Sequence, residues 1–370
     1  MKNQSRRDFI VRNGKKIAGV SALSTLVPLA AQNTNVRAVS SSTESPVTRY
    51  DHDPSWPKKS AAFNWAGVPA IMIDKQDRVW VSNRTYPAMQ IYDTNGNFIR
   101  AWDNPELFSE TGPALFKNKE DGPYNLHYFR FDNAGNVWIA NTNRHIIQKC
   151  DLDGNVLMTI GTPDEAGTDK THLNRPTDMT ITREGVFVSD GYGNRRVVHY
   201  SAEGNFIKTW GQEGTGPEDF IDPHAICHIK NRLYVVDRGN IRIKVYDYDG
   251  KLLDMWENLI LSWPLIPTES DEIWTCGTTP IRLENYRQIT NGRLLKDQLV
   301  MKFDVNGKIK QIWAFPTCSR NEPIPGSFNM LHGIAVDSHG DLYLGEAFNP
   351  GPQKFVCSNE LAAKVEGEYR

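Results

Sequence analysis

The sequence predicts an all-β protein, a β-propeller of six four-stranded blades. One observation is a unit of roughly 40–50 residues that recurs through residues 66–357 and contains short runs of alternating apolar and polar residues. The second is that Gly, Asn and Asp, which tolerate the positive φ of tight hairpins, recur in the polar turns between runs: DTNGN, DNAGN, DLDGN, SAEGN, DYDG, DVNG and DSHGD. One such blade cannot bury both faces, whereas six in a ring pack on one another.

The first 37 residues predict an export signal rather than part of the fold. Arg6 and Arg7 precede Phe9, and an apolar stretch of 15 residues follows at 17–31. This stretch is shorter than the roughly 20 residues of a membrane span, and the order of basic, apolar and small residues is that of a cleaved signal. The paired arginines resemble a twin-arginine signal, which predicts recognition by the twin-arginine translocase and a periplasmic or extracellular location. An uncleaved N-terminal anchor is the alternative.

The composition of the remaining chain excludes some functions. Residues 38–370 contain 35 Lys+Arg and 43 Asp+Glu, a net charge of −8. Nucleic-acid binding depends on neutralising phosphates, so a nucleic-acid partner is not expected. No later segment is apolar enough to predict a stable membrane span in the mature form. The cysteine count is odd and no CxxC occurs, so the five thiols are interpreted mainly as buried small side chains, with one disulfide left open.

The units follow one another without a break in the pattern. Residues 38–65 predict a linker and, around 44–65, a strand that closes the ring, because the sixth unit ends after its third strand. The fifth unit is interrupted by an insertion at 277–298, and residues 358–370 are interpreted as a C-terminal tail. The six units begin near Val68, Leu126, Arg175, Asp222, Ser262 and Met330.

Three histidines occupy one position of the repeat, 10 or 11 residues before the aromatic residue of the second strand: His127, His224 and His332. They open the innermost strands of units two, four and six, which a ring of six places a third of a turn apart. The odd units carry Pro69, Thr177 and Pro264 at that position. The histidines are therefore expected to converge at one mouth of the channel. Three imidazoles with open positions are typical of a catalytic zinc, although imidazole also suits iron, copper and cobalt.

Two arginines and a tyrosine fall where second strands end. Arg84 and Arg238 follow the second-strand aromatic by four residues, and Tyr192 follows it by five. In an antiparallel blade this end lies at the same face as the start of the first strand, so the three side chains are expected to surround the metal. A guanidinium binds carboxylates in a bidentate way, and a tyrosine beside a dication can act as a base. Alone, each arginine would be interpreted as an ordinary loop cation.

Two resemblances refine this interpretation. The pattern V-S-D or V-V-D, then N-x-R, then D-x-x-G at residues 188–197 and 235–243 resembles the NHL repeat. Arg196 and Arg242 occupy the arginine position of that repeat and are expected to tie blades together. In addition, RPTD at 175–178, VSDGY at 188–192 and PH at 223–224 resemble peptidyl-α-hydroxyglycine α-amidating lyase, a six-bladed propeller enzyme.

The second resemblance implies an activity and a role for each site residue. The family cleaves an N-(α-hydroxyglycyl) carbinolamide to an amide and glyoxylate, on a small-molecule or peptide-derived substrate. The resemblance implies that the three histidines bind Zn²⁺ and that Tyr192 is the base. It also implies that Arg84 and Arg238 are substrate-binding or charge-stabilising residues and that Met330 lies beside the substrate. A structural Ca²⁺ is left open. Two departures weaken the match: Gly193 replaces a cysteine, and Gly333 replaces an acidic residue after the third histidine.

Two other functions remain open from the sequence. A metal-dependent, lactonase-like hydrolase is the first, but such sites usually use carboxylate and asparagine ligands. A non-catalytic NHL propeller that binds a protein partner is the second, and it predicts no bound metal. The natural substrate, the metal that is loaded and the oligomeric state are not predicted.

Overall fold

The computed structural model is a closed ring of six β-sheets, which confirms the predicted all-β, six-bladed propeller. It describes residues 47–58, 63–102, 104, 107, 126–279, 297–319, 322–348 and 351–360. The predicted signal, most of the fifth-unit insertion and the last ten residues lie outside this part of the chain. In the described ranges the only helical element is a short 3-10 turn at Arg238–Asn240, and no helix there could cross a membrane.

Blades one to three each contain four antiparallel strands in sequence order. Blade one contains β2 Ile71–Ile73, β3 Val79–Ser82, β4 Met89–Tyr92 and β5 Phe98–Trp102. Blade two contains β6 Leu126–Phe131, β7 Val137–Asn141, β8 Ile146–Cys150 and β9 Val156–Ile160. Blade three contains β10 Asp178–Thr182, β11 Gly185–Asp190, β12 Arg196–Tyr200 and β13 Phe206–Trp210.

Blades four to six vary this plan. Blade four contains β14 Pro223–Ile229, β15 Arg232–Asp237, β16 Arg242–Asp247 and β17 Leu252–Glu257. The innermost strand of blade five is split into two short pieces, and that blade contains β18 Leu261–Ser262, β19 Ile266–Pro267, β20 Glu272–Thr278, β21 Gln298–Asp304 and β22 Ile309–Phe315. Blade six contains β23 Leu331–Val336, β24 Leu342–Glu346, β25 Gln353–Glu360 and β1 Val47–Asp53.

The outer strand of blade six is the first strand of the described chain. β1 pairs antiparallel with β25 from Val47 opposite Glu360 to Asp53 opposite Lys354, so the first and last described strands close the ring in one sheet. This strand lies within the segment from which the sequence predicts an outer strand. The blade continues to Glu360, beyond the predicted boundary at 357, because β1 pairs with β25 along its whole length. The innermost strand of each sheet keeps one unpaired edge, which is short and faces the channel inside the ring.

The apolar core is divided into six layers, one between each pair of neighbouring blades. In the layer between blades one and two, Trp80 packs with Phe129, and both are fully buried. The layer that joins blades six and one contains Trp56 and Tyr343. Each sheet therefore buries both faces against its neighbours, as the repeat pattern predicts. No disulfide forms among the described residues, and Cys150 lies fully buried in one of these layers.

The arginines of the NHL pattern hold the loops that enter their blades. Arg196 Nε donates to Asp190 Oδ2 at 2.9 Å, and its Nη atoms donate to backbone carbonyls of the loop between blades two and three. Arg242 repeats the arrangement with Asp237 and the next loop. Both ion pairs are buried. These loops end where the innermost strands begin, so the same contacts fix the mouth of the channel.

Candidate metal centre

The structure brings the three predicted histidines together at one mouth of the channel. Candidate ligand atoms of His127, His224 and His332 all lie within 4.8 Å of one another. Their ring centroids are 4.6 to 5.2 Å apart, and each side chain belongs to a residue that is at most 2% exposed. They lie on β6, β14 and β23, the innermost strands of blades two, four and six.

Each histidine lies at a β-bulge, a feature that the sequence did not reveal. The pairing of β6 with β7, of β14 with β15 and of β23 with β24 shifts at the histidine. The innermost strands of blades one and three, β2 and β10, pair with their second strands without a shift. A bulge adds one residue to a strand and redirects a side chain while the ladder continues on either side. The bulges therefore explain how each imidazole leaves the alternation of its strand.

A backbone carbonyl of the next blade orients each imidazole. His127 Nδ1 is 2.7 Å from Thr177 O, and the equivalent distances are 2.9 Å for His224 and Trp263 O and 2.8 Å for His332 and Pro69 O. Because a carbonyl only accepts hydrogen bonds, each Nδ1 carries the proton and each Nε2 keeps its lone pair. The carbonyls belong to the odd blades, at or beside the positions equivalent to the histidines. This is the usual support of a metal-binding histidine.

Burial favours the neutral form of all three histidines. It lowers the pKa of His127 and His224 well below the usual value and lowers the pKa of His332 to about 3. The charge of Arg238 acts on all three in the same direction, and that of Arg84 acts on His127 and His332. Metal ligation requires the neutral imidazole. Three neutral rings, each fixed with Nε2 available, fit a transition metal such as zinc better than a hard cation such as calcium, which prefers oxygen ligands.

Tyr192 lies against two of the three histidines. Its Oη is 3.0 Å from Nε2 of His127 and 3.0 Å from Nε2 of His224. Since both nitrogens carry lone pairs, the hydroxyl donates to one of them at a time. The preceding Gly191 allows this position, because a Cβ there would lie 1.8 Å from the carbonyl oxygen of Pro223. The predicted tyrosine is therefore next to the candidate ligand atoms.

Arg238 covers the same side of the mouth. Its Cζ lies 5.3 Å from the ring centroid of Tyr192 and 4.6 Å from that of Trp263, and its Nη2 donates to Asp222 Oδ2 at 3.2 Å. Trp263 in turn stacks on His332 with ring centroids 5.2 Å apart and an interplanar angle of 23°. A cation held over two aromatic rings beside the metal centre is well placed to bind an anion.

Arg84 and Met330 approach from blades one and six. Arg84 is 5% exposed, and its Nη1 donates to Ala347 O at 3.1 Å. Its charge lowers the pKa of His127 and of His332, which places it in the field of the metal centre. Met330 is half-buried, two residues before His332, and its backbone N–H donates to Glu346 Oε1 at 2.9 Å. The packing of the Met330 side chain against a substrate stays a prediction.

A buried polar layer lies next to the histidines. Tyr128 Oη donates to the backbone oxygen of His332 at 3.0 Å. Arg130 donates twice to Asp178, at 3.0 and 2.5 Å, and Asp178 also accepts the backbone N–H of Ile226 at 3.0 Å. Burial raises the pKa of Asp178, and the Arg130 charge opposes that rise. This carboxylate joins the innermost strands of blades two, three and four.

The two departures from the lyase pattern have structural explanations. At Gly193 a Cβ would lie 2.1 Å from the side-chain Cγ of Asn174, so asparagine occupies the space that a cysteine side chain would need. At Gly333 a Cβ would lie 3.2 Å from Pro69 O, the acceptor for His332. An acidic residue is therefore unnecessary for orienting His332, because that carbonyl already does so.

Sequence reasoning missed three side chains of the site: Tyr128, Trp263 and Arg175. Trp263 stands directly before Pro264, the position that aligns with the histidines, so the alignment offered a signal for it. Tyr128 follows a histidine in a strand expected to alternate, and only the bulge places both rings at the mouth. Arg175 opens the third unit and lies with its Cζ 5.4 Å from the ring centroid of Tyr192.

Comparison with known proteins supports the fold. A family model described as 6-bladed beta-propeller (DUF5128) matches residues 166–304. The streptogramin B lyase structure superposes with a TM-score of 0.51 at 14% identity, covering 84% of this chain and 98% of that chain. At this identity the superposition shows the fold alone.

Two relatives carry names connected with amidation. The chain is 26% identical over 315 residues to the peptidylglycine alpha-amidating monooxygenase of Rattus norvegicus, covering 79% of this chain and 29% of the relative. It is 22% identical over 342 residues to the peptidyl-alpha-hydroxyglycine alpha-amidating lyase 1 of Drosophila melanogaster, covering 86% of this chain and 56% of the relative. The chain thus spans less than a third of the rat protein. It is a six-bladed β-propeller related to proteins named as amidating monooxygenases, as amidating lyases and as NHL repeat-containing proteins.

Proposed function

We propose that this chain is an exported, metal-dependent lyase that cleaves N-acyl-α-hydroxyglycines to an amide and glyoxylate. The observation that carries the proposal is the set of three neutral imidazoles with Tyr192 Oη 3.0 Å from two of their Nε2 atoms. Zinc is the metal proposed, and other divalent transition metals suit the same ligands.

Export is proposed on residues 1–37 alone. Replacing Arg6 and Arg7 by lysine is expected to leave the precursor in the cytoplasm, and continued export would contradict this part.

The reaction needs neither water nor a redox partner. The hydroxyl of the substrate loses a proton, the bond from its carbon to the amide nitrogen breaks, and the nitrogen gains a proton. His127, His224 and His332 would hold the metal. Bound there, a dication supplies Lewis acidity that polarises the substrate hydroxyl.

Tyr192 is proposed to move the proton. In its phenolate form the Tyr192 Oη accepts the hydroxyl proton and then donates it to the leaving amide nitrogen, so one group serves both steps. Its position against His127 and His224 keeps the oxygen at the metal centre. Arg238 and Arg84 are proposed to bind the substrate carboxylate, since these two cations lie at the mouth on blades four and one.

The ligand set favours a lyase over the lactonase-like alternative. The hydrolase interpretation expects carboxylate or asparagine ligands at the mouth. Asp190 and Asp237 near the strand ends are engaged by Arg196 and Arg242 in buried ion pairs. Asp222 pairs with Arg238. These acids are thus held by arginines, whereas the imidazoles present their nitrogens to a common point.

The deciding assay uses α-hydroxyhippurate and the metal-loaded protein. Benzamide and glyoxylate are expected to form in equal amounts, and treatment with a chelator is expected to stop their formation. The absence of both products from protein that retains metal would remove the lyase assignment. Opening of lactones by the same protein would instead support the hydrolase, and failure to retain any metal would support the partner-binding propeller.

A further inference from the structure

Arg175 has an unusual backbone conformation beside the candidate metal centre. Its φ is 60°, in the left-handed region, and the next residue is Pro176. Non-glycine residues rarely adopt this φ, and a following proline restricts the backbone further. Arg175 N donates to His145 Nδ1 at 3.1 Å, and Arg175 O accepts the N–H of Tyr192 at 3.3 Å. Asp222, which opens the fourth unit before Pro223, has a φ of 54° and accepts the N–H of Arg238 in the same way, so this conformation belongs to the entry of these two blades.

The guanidinium of Arg175 lacks a partner of its own. Its Cζ lies 5.4 Å from the Tyr192 ring centroid, and its Nε is buried with no hydrogen-bond acceptor in the described part of the chain. Asp222, the carboxylate whose charge acts on it, already forms an ion pair with Arg238. A buried donor without an acceptor has lost its hydrogen bonds to water and gained none in return. A bound anion would supply the missing acceptor.

The three arginines at the mouth contact different parts of the candidate metal centre. Arg238 Cζ lies 4.6 Å from the ring centroid of Trp263, whose ring stacks on His332. The guanidinium of Arg175 lies against the ring of Tyr192. The proposed reaction assigns the carboxylate next to the reacting carbon to Arg84 and Arg238. Arg175 is then the cation that remains for another part of the substrate.

We infer that Arg175 is a specificity-determining residue that binds a second anionic group on the acyl side of the substrate. The substrate class is then N-acyl-α-hydroxyglycines whose acyl chain ends in a carboxylate, such as an N-succinyl derivative. The reaction in this statement rests on the proposed function, but the anion subsite is a binding property that can be measured without turnover.

The test compares two analogues that lack the reacting hydroxyl. N-succinylglycine carries the terminal carboxylate, and N-succinamoylglycine replaces it with an amide of the same shape. Calorimetry on the metal-loaded protein is expected to show about 10-fold tighter binding of the acid, the size of one charge-assisted hydrogen bond. Raising the ionic strength should reduce this preference.

The variant Arg175→Gln is expected to abolish the preference and to leave the affinity for the amide analogue within about twofold. Arg183→Gln is the matched control, because Arg183 is an exposed cation paired with Glu184 in a different turn, and it is expected to retain the preference. Equal affinity of the two analogues for the wild-type protein would overturn the inference. An Arg175→Gln variant that loses both affinities equally would show a structural role and would overturn it as well.

A second experiment distinguishes failure of this inference from failure of the proposed function. It uses N-succinyl-α-hydroxyglycine and N-succinamoyl-α-hydroxyglycine, which carry the same two acyl groups together with the reacting hydroxyl. If neither compound is cleaved but the binding preference persists, the lyase assignment fails and the anion subsite stands. If both compounds are cleaved with equal kcat/KM by the wild-type protein and by Arg175→Gln, the lyase stands and the subsite is refuted. A wild-type preference of about 10-fold in kcat/KM that disappears in Arg175→Gln supports both.

Discussion

The even and odd blades of the ring differ in what they contribute to the mouth of the channel. Blades two, four and six each contain a bulged innermost strand that carries one histidine. Blades one, three and five supply the carbonyl oxygens that accept the Nδ1–H groups: Pro69, Thr177 and Trp263. Tyr192 and Arg84 also come from odd blades, whereas Arg238 and Met330 come from blades four and six.

This alternation shows how a repeat protein builds a site that is absent from any single repeat. The NHL-type units share their strands and turns, but a one-residue shift in three of them redirects a side chain toward the axis. The odd blades between them provide backbone acceptors, which no substitution of a side chain can remove. Metal binding is thus assigned to the even blades, while orientation of the ligands and proton transfer are assigned mainly to the odd ones.

The largest effect is expected from loss of a ligand in an even blade. His224→Ala leaves two imidazoles, so metal affinity should fall on the order of 10³-fold or more and turnover should be lost. Metal analysis after dialysis measures this directly. His228→Ala on the same strand is the control, because His228 bonds to Thr180 instead of facing the metal centre, and it should keep its metal. Normal metal content in His224→Ala would refute the assignment of ligands.

Loss of the tyrosine in an odd blade should separate chemistry from metal binding. Tyr192→Phe is expected to keep the metal and to lower kcat by about 10²–10⁴-fold, because the proton acceptor is gone while the three ligands remain. Steady-state kinetics with α-hydroxyhippurate, together with metal analysis, tests this. Full activity in Tyr192→Phe would contradict the assignment of Tyr192 as the base.

The buried ion pair that joins blades two, three and four should affect stability more than metal binding. Asp178→Asn leaves Arg130 as a buried charge with a neutral partner, so the free energy of unfolding is expected to fall by about 3 kcal/mol. Denaturant titration measures the change. Asp153→Asn is a suitable control, because its ion pair with Arg100 involves an exposed carboxylate and should contribute little. Equal stabilities of the two variants would contradict the role given to this layer.

The smallest effect is expected from disturbing one orienting carbonyl. In Gly333→Ala the new Cβ would lie 3.2 Å from Pro69 O, which should displace the acceptor of His332 by a few tenths of an ångström. Metal affinity is expected to fall about 10-fold, the lower end of the range for residues that support a metal ligand. Competition with a chelator gives the value. An unchanged affinity would mean that the carbonyl does not control His332.

Much of this arrangement could be predicted from the sequence because equivalent positions of the repeated units can be aligned. The distance from each histidine to the second-strand aromatic places His127, His224 and His332 at one position, and the ring converts that position into a point on the axis. The ends of the second strands placed Tyr192 and Arg238 near that point by the same argument. These predictions need only the antiparallel pairing of the first two strands, which places the start of one and the end of the other at the same mouth.

The rest depends on features that no repeat pattern encodes. A bulge depends on how two strands pair, so the adjacency of His127 and Tyr128 at the mouth is invisible in a strictly alternating strand. The role of the Thr177 carbonyl could not be predicted, because a backbone acceptor does not depend on the residue type. Arg175 aligns with Asp222 of the fourth unit, a residue of opposite charge, and its contact with Tyr192 shows that it belongs to the mouth.

The most direct test of the central claim is X-ray absorption spectroscopy at the zinc edge on the purified, zinc-loaded protein. One zinc ion per chain is predicted, bonded to three imidazole nitrogens at about 2.0–2.1 Å. The His224→Ala variant should lose this signature. A spectrum without imidazole scattering, or one that is unchanged in His224→Ala, would contradict the account.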